Sequence, residues 1–171
     1  MSGKRNNLVI KRIKLGSGVF TKRKFNKGEK IINFRGPHIP YEKMPQPYVA
    51  VDDHYVQIGD RLFMGPSGGM DDFINHSCDP NSGLIIKGKK VFLIAIRNIK
   101  NGEEIVWDYS TTMYESEFPD KWEMDCDCGS PKCRKRIVDF KDLPKRLQQK
   151  YLKAGVVPKY IIKTAKFINR E

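Results

Sequence analysis

Between Leu8 and Asp108 the chain never holds an apolar run longer than Val91–Ile96, and turn residues break it repeatedly. The runs Leu8–Ile13, Lys30–Phe34, Tyr55–Ile58, Leu84–Lys87, Val91–Ile96 and Glu104–Asp108 are rich in β-branched and aromatic residues. Between them stand Gly16-Ser17-Gly18, Asn26-Lys27-Gly28, Gly65-Pro66-Ser67-Gly68-Gly69, Lys87-Gly88-Lys89 and Asn101-Gly102, all turn chemistries. A chain cut up in this way buries its apolar surface by packing many short strands. Residues Ile85 to Ile96 around Gly88 read as a hairpin. Nothing approaches the ~18 apolar residues needed to cross a bilayer, so no membrane association is expected. The basic N-terminus is not followed by an apolar stretch of signal-peptide length, which points to an intracellular, non-secretory protein. With 171 residues, one domain can bury enough surface to stand without disulfides.

After Cys133 the texture changes. Pro144–Lys153 and Pro158–Ile168 have helical spacing, with Leu143, Leu147 and Tyr151 on one face. Asp142 is the expected N-cap of the first helix and Gly155 its stop. This stretch reads as a helical tail and not as a second domain.

Charge is unevenly spread. Residues 1–30 carry ten Lys/Arg against one Asp/Glu, and residues 134–171 carry twelve against three. Residues 31–133 carry ten against sixteen, an excess of six negative charges within a chain of net +12. Such a division suits solubility; it equally suits ends that attract a polyanion and a middle that accepts a cationic ligand.

The four cysteines are Cys78, Cys126, Cys128 and Cys133. In a reducing compartment, thiolate chemistry or metal binding is favoured over disulfides. Cys126-x-Cys128-x4-Cys133 places three thiols close together, and a tetrahedral zinc ion needs a fourth donor, for which Cys78 is the remaining cysteine.

The segment around Cys78 reads Phe73-Ile74-Asn75-His76-Ser77-Cys78-Asp79-Pro80-Asn81. It resembles the signature of SET-domain protein lysine methyltransferases. Three further blocks agree in kind and order. Leu15-Gly16-Ser17-Gly18-Val19-Phe20 looks like the family's glycine block. Asn101-Gly102-Glu103-Glu104-Ile105-Val106-Trp107-Asp108-Tyr109-Ser110 resembles its GEE…DY block, and Cys126-x-Cys128-x4-Cys133-Arg134 its post-SET cluster. The resemblance spans roughly residues 8 to 136. It implies a SET domain over residues 8–113, a post-SET zinc-binding segment over 114–136 and a basic helical tail over 137–171. The implied fold is mainly β, several small sheets of β-clip type with a knot-like crossing at Asn75-His76.

The resemblance further implies methyl transfer from S-adenosylmethionine to a lysine amine of a protein, with a histone tail as the substrate class. Cofactor contacts are implied for Gly16, Ser17, Gly18, Val19, Phe73, Asn75, His76 and Tyr109. Tyr109 is the implied catalytic residue. Tyr55 and Trp107 join it in lining the lysine channel, and one structural zinc is held by the four cysteines. A free lysine has a pKa of ~10.4, so burial in a narrow channel has to favour the neutral amine; alignment and desolvation are the remaining tasks. The acidic middle suits a basic peptide, and the basic ends suit nucleic acid such as nucleosomal DNA. Chromatin of the cell or of a host, or else the cytoplasm, is the expected location.

Two positions depart from the family pattern. Asp72 stands where many members have arginine before the Phe-Ile-Asn-His run. Trp107 stands two before Tyr109, where Phe or Tyr is common. These departures favour, as the alternative, a SET-fold module that binds proteins or nucleosomes with weak catalysis. A basic zinc-containing nucleic-acid-binding protein is a third reading, against which stand the missing Cys-x2-Cys ribbon and the intact Asn-His block.

Overall fold

The computed structural model describes residues 7–14, 16–44, 54–114 and 123–168, with side chains of the last helix through residue 164. The elements in chain order are β1 (Leu8–Ile13), β2 (Gly16–Thr21), β3 (Lys30–Phe34), β4 (His38–Pro40), β5 (Val56–Gly59), β6 (Leu62–Met64), β7 (Asn75–His76), β8 (Ser82–Lys87), β9 (Lys90–Ala95), β10 (Val106–Trp107), β11 (Glu123–Asp125) and β12 (Arg136–Val138), then α1 (Lys145–Ala154) and α2 (Lys159–Ile168). Short 3-10 turns occupy Met70–Phe73, Tyr109–Thr111 and Phe140–Asp142, among others. The chain is mainly β with two short helices at its C-terminal side, as the turn-punctuated sequence implies.

Among the described residues the strands make five small sheets. β1 and β2 form an antiparallel hairpin with Ile13 opposite Gly16 and Lys11 opposite Gly18. Two three-stranded sheets have the orders β3-β9-β8 and β4-β6-β5, and β11 pairs with β12. β7 and β10 lie side by side in parallel, Asn75 opposite Val106 and His76 opposite Trp107. The segment expected to form the crossing, Asn75-His76, therefore lies beside Val106-Trp107. The glycine block, read as a turn, begins β2 instead. Gly16 takes φ +111°, a conformation that suits glycine, and the strand starts from it.

β9 explains the layering. Val91, Leu93 and Ala95 face the main core with Val19, Phe25, Leu84, Ile99, Ile105 and Trp107. Ile94 faces the other way and, with Ile85 and Ile96, meets Tyr151, Val156 and Ile161 of the helical segment. Packing on both faces, one buried and one half-buried, is why Val91–Ile96 shows no polar alternation.

The C-terminal helices are thus an outer layer on the β8–β9 sheet. Leu143, Leu147 and Tyr151 turn inward as the spacing requires, while Lys145, Arg146, Lys150 and Lys153 occupy the exposed face of α1. It is this exposed cationic face that gives the segment the texture of a tail. Pro144, not Asp142, occupies the N-cap position, and Asp142 belongs to the preceding 3-10 turn. Gly155 ends α1 in the left-handed region at φ +68°. Gly83 admits the next residue: a Cβ there would lie 2.4 Å from Val156 Cγ1. Among the described residues, no helix is long and apolar enough to cross a membrane.

Candidate functional site

A cleft of about 940 Å³ is lined by Gly16 and Ser17, the segment from Asp71 to Ser77, residues between Val106 and Met113 and the loop from Met124 to Ser130. Its volume suits a cofactor-sized ligand. Gly16, Ser17, Tyr55, Phe73, Asn75, His76, Trp107 and Tyr109 all line it, as do Cys126 and Cys128. Leu15, at the head of the glycine block, lies outside the described residues.

Gly18 and Val19 lie behind the cleft and not on it. The Val19 side chain is fully buried in the main core, and its carbonyl accepts from Ile105 N–H. Gly18 provides room. A Cβ there would stand 2.3 Å from Glu104 Oε1 and 3.1 Å from Asn75 Nδ2. Without it, the Asn75 amide donates both to Ser17 O and to Glu104 Oε1, each at 2.8 Å. Glu104 joins the site by this route.

Tyr109 sits at the centre of the aromatic group. Its hydroxyl donates to Ile74 O at 2.9 Å. Burial, reinforced by the Glu104 carboxylate, holds the phenol well above its ordinary pKa, so it is a neutral donor. The Trp107 ring lies 4.9 Å from it, and His76 packs edge-on at 5.3 Å. The backbone N–H of Tyr109 donates to His76 Nδ1 at 3.2 Å. This bond places the imidazole proton on Nε2, 3.3 Å from Cys78 Sγ. Burial pulls His76 down to about 4, against the nearby Asp108 carboxylate, so the ring is neutral.

Asp108, immediately before Tyr109, is a buried carboxylate that accepts four hydrogen bonds from three residues. Arg134 grips it with two N–H groups at 2.8 and 2.9 Å. The Tyr151 hydroxyl donates to it at 2.7 Å, and the Ser110 N–H at 3.2 Å. Arg134 also donates its backbone N–H to Cys78 Sγ at 3.3 Å. Neither Arg134 nor Tyr151 was among the expected site residues. The available signal was a carboxylate inside an apolar block, which needs a cationic or hydrogen-bonding partner if buried.

The cysteines converge. Cys126 Sγ lies 3.8 Å from Cys78 Sγ and 3.7 Å from Cys133 Sγ. Zn–S bonds of ~2.3 Å in a tetrahedron put sulfurs ~3.8 Å apart, so these spacings fit one ion. The ligand atoms of His76, Cys78, Cys126 and Cys128 lie within 4.8 Å of one another; this set holds three of the four expected thiols together with the His76 imidazole, and Cys133 adjoins it through Cys126. The Cys126 thiol is pushed up by burial and by Cys78. Cys128, despite its burial, is drawn down to about 7 by hydrogen bonds from backbone and neighbouring thiols. Thiols this close cannot all ionise unless a cation joins them, and the donor set suits zinc.

Asp72, the residue that departs from the family pattern, is engaged locally. Its carboxylate accepts from Ser67 N–H at 2.9 Å and Gly68 N–H at 2.7 Å, which fixes the glycine-rich loop. Among the described residues the cleft lining is acidic: seven carboxylate residues, among them Glu104, Asp125 and Asp127, stand against one arginine, Arg97.

A model of the SET domain matches residues 16–110. The chain is 34% identical over 144 residues to the variant-silencing SET domain-containing protein of Plasmodium falciparum, covering 74% of this chain and 5% of that protein. It is 30% identical over 133 residues to histone-lysine N-methyltransferase trithorax of Drosophila virilis, covering 71% and 3%. Putative histone-lysine N-methyltransferase ASHH4 of Arabidopsis thaliana is 28% identical over 179 residues, 95% of this chain and 48% of that one. The chain therefore spans half or less of the length of these relatives. In fold it is similar to KRYPTONITE, solved in complex with mCHH DNA, H3(1-15) peptide and SAH: TM-score 0.60, 23% identity, 78% of this chain and 30% of that one.

Proposed function

The chain belongs to the SET-domain family, and we propose that it methylates a lysine side-chain amine of a protein, a histone tail being the substrate class, with S-adenosylmethionine as donor. The observation that carries this reading is the position of Tyr109. Its neutral hydroxyl is held at 2.9 Å by Ile74 O, next to the Asn75-His76 pair, in a cleft lined, among the described residues, by seven carboxylate residues and one arginine. Similar proteins carry the name histone-lysine N-methyltransferase.

S-adenosylmethionine, when bound, supplies the methyl on an electrophilic sulfonium. Gly16, Ser17, Phe73, Asn75 and His76 are the residues proposed to hold it. Gly16 presents backbone to the cleft, and Asn75 keeps that backbone in place through its bond to Ser17 O. Gly18 and Val19 support this wall from behind. Tyr55, Trp107 and Tyr109 are proposed to line the lysine channel. Their aromatic walls exclude water, which disfavours the ammonium form of the entering lysine. The Tyr109 oxygen orients the amine and accepts weak C–H···O contact from the transferring methyl.

Zinc, when bound to Cys78, Cys126, Cys128 and Cys133, supplies a structural cross-link. His76 directs its Nε2–H at the Cys78 sulfur, which ties the metal centre to the Asn75-His76 segment. On this reading residues 8–113 are the SET domain, 114–136 the post-SET segment and 137–171 the basic helical tail, of which residues 143–161 pack on the β8–β9 sheet. The cleft carboxylates receive a basic peptide, the exposed cations of α1 and β1 contact nucleic acid, and the protein works at chromatin.

The test is transfer of labelled methyl from S-adenosylmethionine to histones and nucleosomes. Incorporation into a lysine, located by mass spectrometry, is expected. Binding of S-adenosylhomocysteine with no incorporation into any histone would remove the histone assignment, and absence of both would remove the activity.

A further inference from the structure

Two hydroxyls from the C-terminal helices reach the back of the cleft at separate points. Tyr151 of α1, fully buried, donates to Asp108 Oδ2 at 2.7 Å. Tyr160 of α2 bonds to Gln57 O at 3.1 Å and also to Thr112 O. A phenylalanine would fill either space. A buried hydroxyl carries a desolvation cost that only a well-placed partner offsets, and here every partner belongs to a segment of the cleft wall.

The partners matter by position. Asp108 precedes Tyr109, and its carboxylate also takes the Ser110 N–H, so one buried group holds the chain on both sides of Tyr109. Gln57 follows Tyr55 and Val56, which line the cleft, and Thr112 lines it directly. The Gln57 amide is itself committed to Tyr114, accepting from its N–H at 2.9 Å and donating to its carbonyl at 3.3 Å. Tyr160 therefore spans two segments of the wall that are far apart in sequence.

We infer that α1 and α2 are part of the methyl-transfer site, with Tyr151 and Tyr160 as positioning residues. Tyr151 fixes Tyr109 through Asp108. Tyr160 sets the spacing between the Tyr55 wall and the Thr112 wall. This rests on the methyltransferase reading and goes beyond it, because it assigns residues outside the part of the chain matched to the SET domain.

Tyr151→Phe and Tyr160→Phe are made in the full chain, with Lys153→Gln on the exposed face of α1 as control. Turnover, KM for peptide, affinity for S-adenosylhomocysteine and the ratio of mono-, di- and trimethylated product are measured for each. The amide resonances of Tyr109 and Thr112 are followed in the same samples. Tyr151→Phe is expected to lower kcat roughly ten-fold, since a small misplacement of a reacting group is costly, with S-adenosylhomocysteine affinity unchanged and the Tyr109 amide shifted. In a Tyr109→Phe background the same change should slow turnover no further. Tyr160→Phe is expected to shift the Thr112 amide and to alter peptide KM and the product ratio. The control should match the wild type. Unmoved amides, or losses of kcat, cofactor affinity and thermal stability in parallel, would overturn the positioning role. A wild-type protein without turnover would instead overturn the activity reading, while the amide shifts still decide whether the helices position the wall.

Discussion

An alanine at Gly18 would press its Cβ against Glu104 Oε1 at 2.3 Å and Asn75 Nδ2 at 3.1 Å, so Asn75 could not hold both Ser17 and Glu104. Gly18→Ala is expected to weaken S-adenosylhomocysteine binding at least ten-fold by calorimetry, a loss of ~1.4 kcal/mol or more. Unchanged affinity would show that Asn75 does not shape that wall. Charge at the residue scale is decided by burial. Arg134→Met leaves the Asp108 carboxylate, fully buried, without its cation and is expected to cost about 3–5 kcal/mol in denaturant unfolding. Lys132→Met breaks an exposed pair with Asp79, whose side chains are 70% and 41% exposed, and should cost within about 1 kcal/mol.

At the scale of elements, the central fact is that β9 is packed on both faces, buried on one and half-buried on the other. Gly83 of β8 receives Val156 so closely that a Cβ would come within 2.4 Å of it. Gly83→Ala should destabilise by about 1–3 kcal/mol through overpacking, and Val156→Ala in the same chain should recover part of that. Additive losses in thermal unfolding would mean that the helices are not seated on the sheet at this point. The metal loop is a second such element. One zinc per chain is expected by elemental analysis, and a strong chelator should release it and lower the melting temperature; an unmoved melting temperature on release would deny it a structural role.

Much of this organisation could be read from residue order. The turn dipeptides marked the strand breaks, Gly88 marked the β8–β9 turn, and the Cys126–Cys133 spacing marked a loop whose Cys126 thiol lies 3.8 Å from Cys78. What escaped was whatever depends on who faces whom. Gly16-Ser17-Gly18 has turn composition but serves as a strand because β1 stands opposite it. The apolar face formed by Leu143, Leu147 and Tyr151 was legible, but not that it packs on the outer side of β9. Asp108 showed that a carboxylate needed partners, but Arg134 and Tyr151 lie 26 and 43 positions away, and no local pattern links them. Asp72 looked like a charge reversal at the cofactor; contact geometry shows it spent on the Ser67 and Gly68 amides.

For the whole molecule, charge is segregated by task. Among the described residues the cleft is lined by seven carboxylate residues and one arginine, while the chain as a whole carries +12. Nucleosome affinity is therefore expected to fall steeply with salt as counterions compete at the basic faces, and no affinity for free DNA even at low salt would take that role from them. The central claim is that Tyr109 acts at a methyl-transfer site. It is tested most directly by comparing wild type with Tyr109→Phe on the same preparations, reading methyl incorporation by mass spectrometry and S-adenosylhomocysteine binding by calorimetry. Incorporation into a histone lysine by the wild type, reduced roughly a hundred-fold in the variant with binding retained, is the predicted result. Equal incorporation by both proteins would contradict it.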